Sequence, residues 1–159
     1  MVRLAAEDDL PRILEIYDEA RSFMRRNGNM KQWINGYPSR ALLEKDIESH
    51  SLYVLYDGTS VYGVYMFRAG HDRTYDSIRG KWLDDSPYGV IHRIASDGTH
   101  KGVLKEALAA SSQVIKHLRI DTHSDNAVMQ NALRREGFSE CGIIVCEDGT
   151  DRTAFERLG

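Results

Sequence analysis

A chain of 159 residues is the size of one ordinary domain and long enough to build its own core. Hydrophobic residues at 42% and charged residues at 28% mark a globular composition, and 24 acids against 21 bases leave a formal net charge of −3, with no Lys/Arg stripe suited to a nucleic acid. The longest apolar runs are strand-sized, whereas a membrane-crossing helix needs about 20 apolar residues, and Met1-Val2-Arg3-Leu4 runs into acids and a helix, unlike a signal peptide.

Met1–Ala5 reads as a first strand. Asp8, Asp9 and Pro11 are helix-opening residues, and Leu10, Ile13, Leu14, Tyr17 and Met24 then recur at helical spacing. This first helix is expected to end near Arg26, before Asn27-Gly28. The loop from Asn29 to Ser39 carries Trp33 and Tyr37, and a second helix follows over Arg40–Ser49. The period then shortens. Leu52–Tyr56 and Val61–Arg68 are strand-like and joined by Asp57-Gly58, a hairpin signal. Within Gly70–Asp85 only Thr74–Ile78 has a strand-like look, and Tyr88–Ala95 is a clearer strand.

After the polar stretch Ser96–Gly102 a helix begins, with Leu104, Leu108, Ser111, Ile115 and Leu118 on its inner face. Arg119–Thr122 is a strand, and Asp125–Glu136 a helix with Val128, Met129, Ala132 and Leu133 inward, closed by Gly137. Phe138–Glu147 and Arg152–Leu158 are the last strands, around a turn at Asp148-Gly149. Cys141 and Cys146 lie an odd number of residues apart, so on one strand they face opposite ways and do not pair. Two free thiols suit a reducing compartment, and a cytoplasmic location is expected. No repeat or linker interrupts the chain, which reads as a single domain, 1–159.

This order is mixed α/β (α+β), a meander followed by crossover helices. The strand ending at Arg93-Ile94-Ala95-Ser96 leads through a glycine-containing turn into a helix, whose free N–H groups and partial positive charge suit a pyrophosphate. The next strand ends at Asp121-Thr122-His123 and is followed by Ser124-Asp125-Asn126, a helix, and Arg135-Glu136-Gly137-Phe138.

In these features the chain resembles the GCN5-related N-acetyltransferase (GNAT) superfamily over nearly its whole length. The resemblance is strongest over Leu118–Gly142 and extends to Arg93-Ile94-Ala95 and to the opening Arg3, Asp9-Leu10-Pro11 and Ile13. It implies a central mixed β-sheet of about six to seven strands flanked by about four helices. It also implies an N-acetyltransferase that moves an acetyl group from acetyl-CoA, as cosubstrate, to a primary amine by direct attack in a ternary complex. The acceptor is a small-molecule amine or a peptide amine; no metal, nucleic acid or membrane is involved, and the protein is a monomer or homodimer. The alternative on the same fold is a non-catalytic acyl-CoA-binding or sensor domain.

The resemblance also assigns a site. Cofactor contacts fall to Ile94, Ala95, Ser96, His100, Lys101, Gly102, Val103, Asn126 and Met129. Where the family's loop has Arg or Gln, then Gly, then Gly or Ala, this chain has Thr99, Gly102 and Leu104, and His100 and Lys101 are expected to supply charge. Trp33 and Tyr37 are expected to wall the acceptor site. His92 is the only imidazole on the Tyr88–Ala95 strand, which carries no Glu, and is the candidate general base. Leu133 stands where many relatives have a proton-donating Tyr, and Tyr65 and Tyr88 are the next tyrosines to consider. Plainer roles remain open for several of these: a hydrogen-bonded strand residue for His92, a helix-start glycine for Gly102, an N-cap for Asn126, packing for Trp33 and Tyr37, and turn formation for His123 and Asp121. The six histidines show no ligand spacing, so no metal site is expected.

Overall fold

The computed structural model describes residues 1–159. Eight strands, β1 (Val2–Leu4), β2 (Leu52–Tyr56), β3 (Val61–Ala69), β4 (Ile78–Gly80), β5 (Gly89–Ser96), β6 (Leu118–Thr122), β7 (Ser139–Val145) and β8 (Asp151–Arg157), form one sheet in the order β1-β2-β3-β5-β6-β8-β7-β4. Only β5 and β6 run parallel; every other neighbouring pair is antiparallel. Four helices flank the sheet: α1 (Leu10–Arg26), α2 (Arg40–Glu48), α3 (Val103–Ser112) and α4 (Ala127–Arg135).

The helices cover both faces. In α1 the buried residues Leu10, Ile13, Ile16, Tyr17 and Ala20 recur at helical spacing and pack, with Leu43 and Ile47 of α2, on Leu52, Val54 and Val64. On the other face, Val103, Ala107 and Leu108 of α3 and Leu133 of α4 pack on Leu55, Tyr65, Ile91, Ile120 and Phe155. The strand β3 contributes alternately to both cores, Val64 and Met66 to one and Tyr65 and Phe67 to the other. A strand covered on both faces has no solvent side to mark with polar residues, which is why this stretch reads as a continuous apolar run.

The sheet has eight strands against the six to seven expected, and the region that resisted reading accounts for it. Where a strand was sought at Thr74–Ile78, a 3-10 turn occupies Arg73–Tyr75 and β4 follows at Ile78–Gly80. Close approach of two backbones defines β4, since a Cβ on Gly80 would stand 2.2 Å from the carbonyl oxygen of Cys141 and one on Gly142 2.3 Å from that of Arg79. The pairing of β7 with β8 slips between Glu140 and Gly142, and Cys146 lies beyond the end of β7. Simple alternation therefore does not relate the two cysteines, which are both free. In α4 only Leu133 is buried; Val128, expected inward, is 45% exposed.

Two departures from regularity position the site. The parallel pair β5–β6 holds for two positions only, Gly89 with Leu118 and Val90 with Arg119, and then the strands part. Beyond that point β5 carries a bulge: Ala95 pairs with Val64 and His92 with Met66, so Arg93 and Ile94 together face Tyr65.

Candidate active site

The bulge turns β5 toward a cavity. Arg93 has a φ of 55°, a left-handed backbone that costs a side-chain-bearing residue about 1–2 kcal/mol. Several contacts hold it there. The Tyr17 hydroxyl donates to the Arg93 carbonyl at 2.7 Å, and the guanidinium pairs with Asp46 of α2 and donates to the Tyr37 hydroxyl at 3.3 Å. Burial works against the Arg93 charge, but Tyr37 and Asp46 outweigh it and its pKa is raised. Burial likewise pushes the Tyr17 phenol far above its ordinary value, so it stays a donor. Because the bulge breaks the alternation of a strand, the consecutive residues Ile91, His92, Arg93 and Ile94 all border one cavity.

Two cavities open around the parted strands. The smaller, about 290 Å³, lies among the C-terminal end of β5, the starts of α3 and α4 and the end of α1. Its walls include Ala20, Phe23, Ile94, Ala95, Ser96, Gly98, Val103 and Leu104. Val128 and Phe23, 45% and 46% exposed, are apolar side chains that face this cleft and not a core. The larger cavity, about 970 Å³, is walled by Trp33, Tyr37, Asp46, Met66, Asp72, His92, Arg93 and Asp121 among others. Met24, Ile94, Asn126 and Met129 border both.

Of the residues singled out in the sequence, Ile94, Ala95, Ser96, Val103, Asn126 and Met129 line the smaller cleft. His92, Trp33 and Tyr37 line the larger cavity. His100, Lys101 and Gly102 line neither. The His100 ring stacks on Tyr62 with centroids 3.7 Å apart and its Nε2 lies 3.3 Å from Asp57, so it belongs to the hairpin side and its expected phosphate role has no geometric support. Lys101 is exposed. Gly102 is the N-cap of α3 with a φ of 76°, and its surroundings leave room for a side chain. The first turn of α3 offers N–H groups without helical partners.

Leu133 is a correction. It is fully buried with Leu118, Ile120, Phe138 and Phe155 and borders neither cavity, so it does not occupy a proton donor's place. Tyr65 and Tyr88 border neither cavity as well; burial pushes the Tyr65 phenol up to about 12, and the Tyr88 hydroxyl accepts from the Asp72 N–H at 2.9 Å.

His92 sits between two carboxylates. Its Nε2 is 2.8 Å from Oδ2 of Asp72, and its Nδ1 is 3.7 Å from Oδ2 of Asp121. Asp72 also accepts, at its other oxygen, from the N–H and hydroxyl of Thr74 at 3.0 and 2.7 Å. Burial opposes ionisation of Asp72, but the hydrogen bonds from His92 and Thr74 prevail and hold its carboxyl well below the usual range. The buried Tyr75 hydroxyl donates to Oδ2 of Asp121 at 2.8 Å, and burial with that carboxylate raises the phenol's pKa well above normal. Sequence reading found His92 but not Asp72 or Tyr75, which come from the loop before β4 and carry no periodic signal.

A second network ties the Asn29–Ser39 loop to the junction of the cavities. Gln32 Oε1 accepts from Asn29 at 2.9 Å and from Asn126 at 3.1 Å, while Asn126 Oδ1 caps α4 by accepting from the Met129 N–H at 3.1 Å. Asn126 is thus an N-cap and a cavity residue at once. His123 has the turn role, its Nδ1 accepting from the Asp125 N–H at 3.0 Å. No helix is long and apolar enough to cross a membrane.

No family model matches the sequence, and no curated protein matches it. Solved structures do. A GNAT-family acetyltransferase from Streptococcus agalactiae superposes with a TM-score of 0.90 at 29% identity, covering 100% of this chain and 95% of that one. A candidate acetyltransferase from Staphylococcus aureus gives 0.74 at 25% identity, covering 99% and 98%. A candidate acetyltransferase from Salmonella typhimurium, solved with its cofactor acetyl-CoA, gives 0.65 at 17% identity, covering 99% and 92%, and at that identity speaks for the fold alone.

Proposed function

We propose that this chain, which is similar over its whole length to GNAT-family acetyltransferases, transfers an acetyl group from acetyl-CoA to a primary amine. One observation carries the reading. The narrow apolar cleft and the wide polar cavity meet at Ile94, Asn126 and Met129, beside the β5 bulge, so two substrates entering from different sides would touch there.

The smaller cleft fits the cofactor's arm. Its walls at Ile94, Ala95, Ser96, Val103, Asn126 and Met129 combine apolar side chains with strand backbone left unpaired by the parting of β5 and β6. Gly102 and the first turn of α3 are assigned to the pyrophosphate, with Lys101 as a free nearby charge. Acetyl-CoA would supply an activated thioester carbonyl. The Ile94 N–H, at the β5 bulge beside the junction of the cavities, is assigned to polarise that oxygen. Trp33 and Tyr37 are assigned to hold the acceptor, and His92 to take a proton from it. In the net reaction a carbon–nitrogen bond forms, a carbon–sulfur bond breaks, and a thiol and one proton are released. No tyrosine borders the junction of the cavities. A thiol with a pKa of about 8.5, by analogy with cysteine, departs near neutral pH without a dedicated acid.

The test is release of free thiol from acetyl-CoA against a panel of polyamines, amino acids, aminoglycosides and short peptides. Turnover with at least one amine is expected, together with a raised melting temperature in acetyl-CoA. Absence of thiol release with every amine, or absence of stabilisation at millimolar acetyl-CoA, overturns the assignment.

A further inference from the structure

We infer that Asp72, His92 and Asp121 form a directional proton-accepting site for a primary ammonium, in which Asp72 is a positioning residue and Asp121 anchors the cation. The catalytic use of this site rests on the acetyltransferase reading; its existence does not.

The direction follows from the partners. Asp72 is ionised and can only accept, and its other oxygen is occupied by Thr74. The ring proton of neutral His92 therefore sits on Nε2 and points at Asp72. That leaves the lone pair on Nδ1, on the side of Asp121. With its proton on Nε2, the ring presents Nδ1 as an acceptor 3.7 Å from a carboxylate oxygen that is also an acceptor, so the two do not bond each other, and the one hydrogen bond of the His92 ring is at Nε2. The only hydrogen bond to Asp121 from a side chain is that of Tyr75 at Oδ2, which fixes the carboxylate and leaves Oδ1 free. Both residues border the larger cavity. A lone pair beside a carboxylate calls for a ligand with a positive charge and at least two protons on one atom. A primary ammonium has both; a hydroxyl group has neither. The other groups facing this site are Arg68 of β3, 3.9 Å from Asp72, the phenol of Tyr75, and Tyr88 against the Asp72 backbone.

The step is a proton transfer. One N–H bond of the ammonium breaks, an Nδ1–H bond forms, and the nitrogen keeps its electron pair as a neutral amine. The imidazolium so made lies between two carboxylates, and its proton passes to water when the ring resets.

The whole chain, labelled with 15N-histidine, tests this by long-range nitrogen–proton NMR with n-butylammonium as probe and n-butanol as its neutral counterpart. His92 should appear as the Nε2–H tautomer, and its Nδ1 signal should move with n-butylammonium but not with n-butanol. In Asp72→Asn the amide oxygen is claimed by the Thr74 N–H, so the amide NH2 faces His92 and should move the ring proton to Nδ1. Asp121→Asn should weaken the probe's effect by about 10- to 100-fold, the usual loss for a hydrogen bond to a charged group, while keeping the tautomer. An Nδ1–H tautomer in the unmodified chain, an unchanged tautomer in Asp72→Asn, or equal response to both probes overturns the inference, even if thiol release is seen. The expected spectra without thiol release would leave the ammonium site standing and remove the acetyltransferase reading.

Discussion

Leu133 of α4 is sealed in the core with Leu118, Ile120, Phe138 and Phe155 and lines neither cavity. Leu133→Tyr should therefore act as overpacking. It is expected to cost about 1–3 kcal/mol, seen as a lower denaturation midpoint, with no gain in thiol release. A rate increase in that variant would return the position to the active site. His123 gives a pH prediction. Burial, then the charge of Arg152, lowers its pKa, and its Nδ1 must stay unprotonated to accept from Asp125. A depressed folded value means that the stabilisation is complete above the unfolded value of about 6.5 and fades as pH falls through the folded one. Asp72, also depressed, contributes above a pH of about 4 and fades only in stronger acid. Urea midpoints should thus fall from pH 7 to pH 5 in the native chain and fall less in His123→Asn, whose amide oxygen can still accept the turn hydrogen bond. Equal decline in both chains would show that His123 does not drive it.

Elements were legible where they carry their own period or cap. The spacing of α1, the Asp57-Gly58 hairpin and the Asn126 cap of α4 all stand in the structure where local chemistry puts them. What decides β4 and the β5 bulge is different. The glycine pair Gly80 and Gly142 matters only because two distant backbones meet, and Arg93 adopts its left-handed turn only because Tyr17 and Asp46 hold it. Neither cause is local, so neither leaves a pattern in the sequence. The loop before α3 lies between these cases: Gly102 is readable as a helix start, but its side-chain neighbours are not. Its role is testable by charge. Gly102 has open space around it and a left-handed backbone that Asp and Asn tolerate best, so both substitutions should fold with a similar modest loss of about 1 kcal/mol. Calorimetry should then show acetyl-CoA binding weakened about tenfold more by Gly102→Asp than by Gly102→Asn, through repulsion of phosphate near the start of α3. Equal affinities for the two variants would remove Gly102 from the phosphate site.

At the scale of the whole molecule, the division of labour comes from the sheet. Helices on both faces bury β3 from Val61 to Phe67 and the first part of β5, and the sheet opens where β5 and β6 part. That opening joins a cleft on the α3 and α4 side to a cavity on the α2 and β4 side, and the two share few residues. Substitutions deep in one arm should then leave the other arm's ligand untouched. Tyr37 and Val128 are suited to the comparison because they border different cavities and are 39% and 45% exposed, so neither change empties a core. Tyr37→Ala removes a cavity wall and the acceptor of an Arg93 hydrogen bond, and should raise the KM for amine several-fold with that for acetyl-CoA unchanged. Val128→Glu puts a negative charge on the cleft assigned to an anionic cofactor, and should raise the KM for acetyl-CoA about tenfold with that for amine unchanged. Steady-state kinetics with both substrates varied reads all four constants. If the two substitutions instead shift both constants in parallel, the cavities do not hold separate substrates, and the ternary arrangement at Ile94, Asn126 and Met129 has to be abandoned.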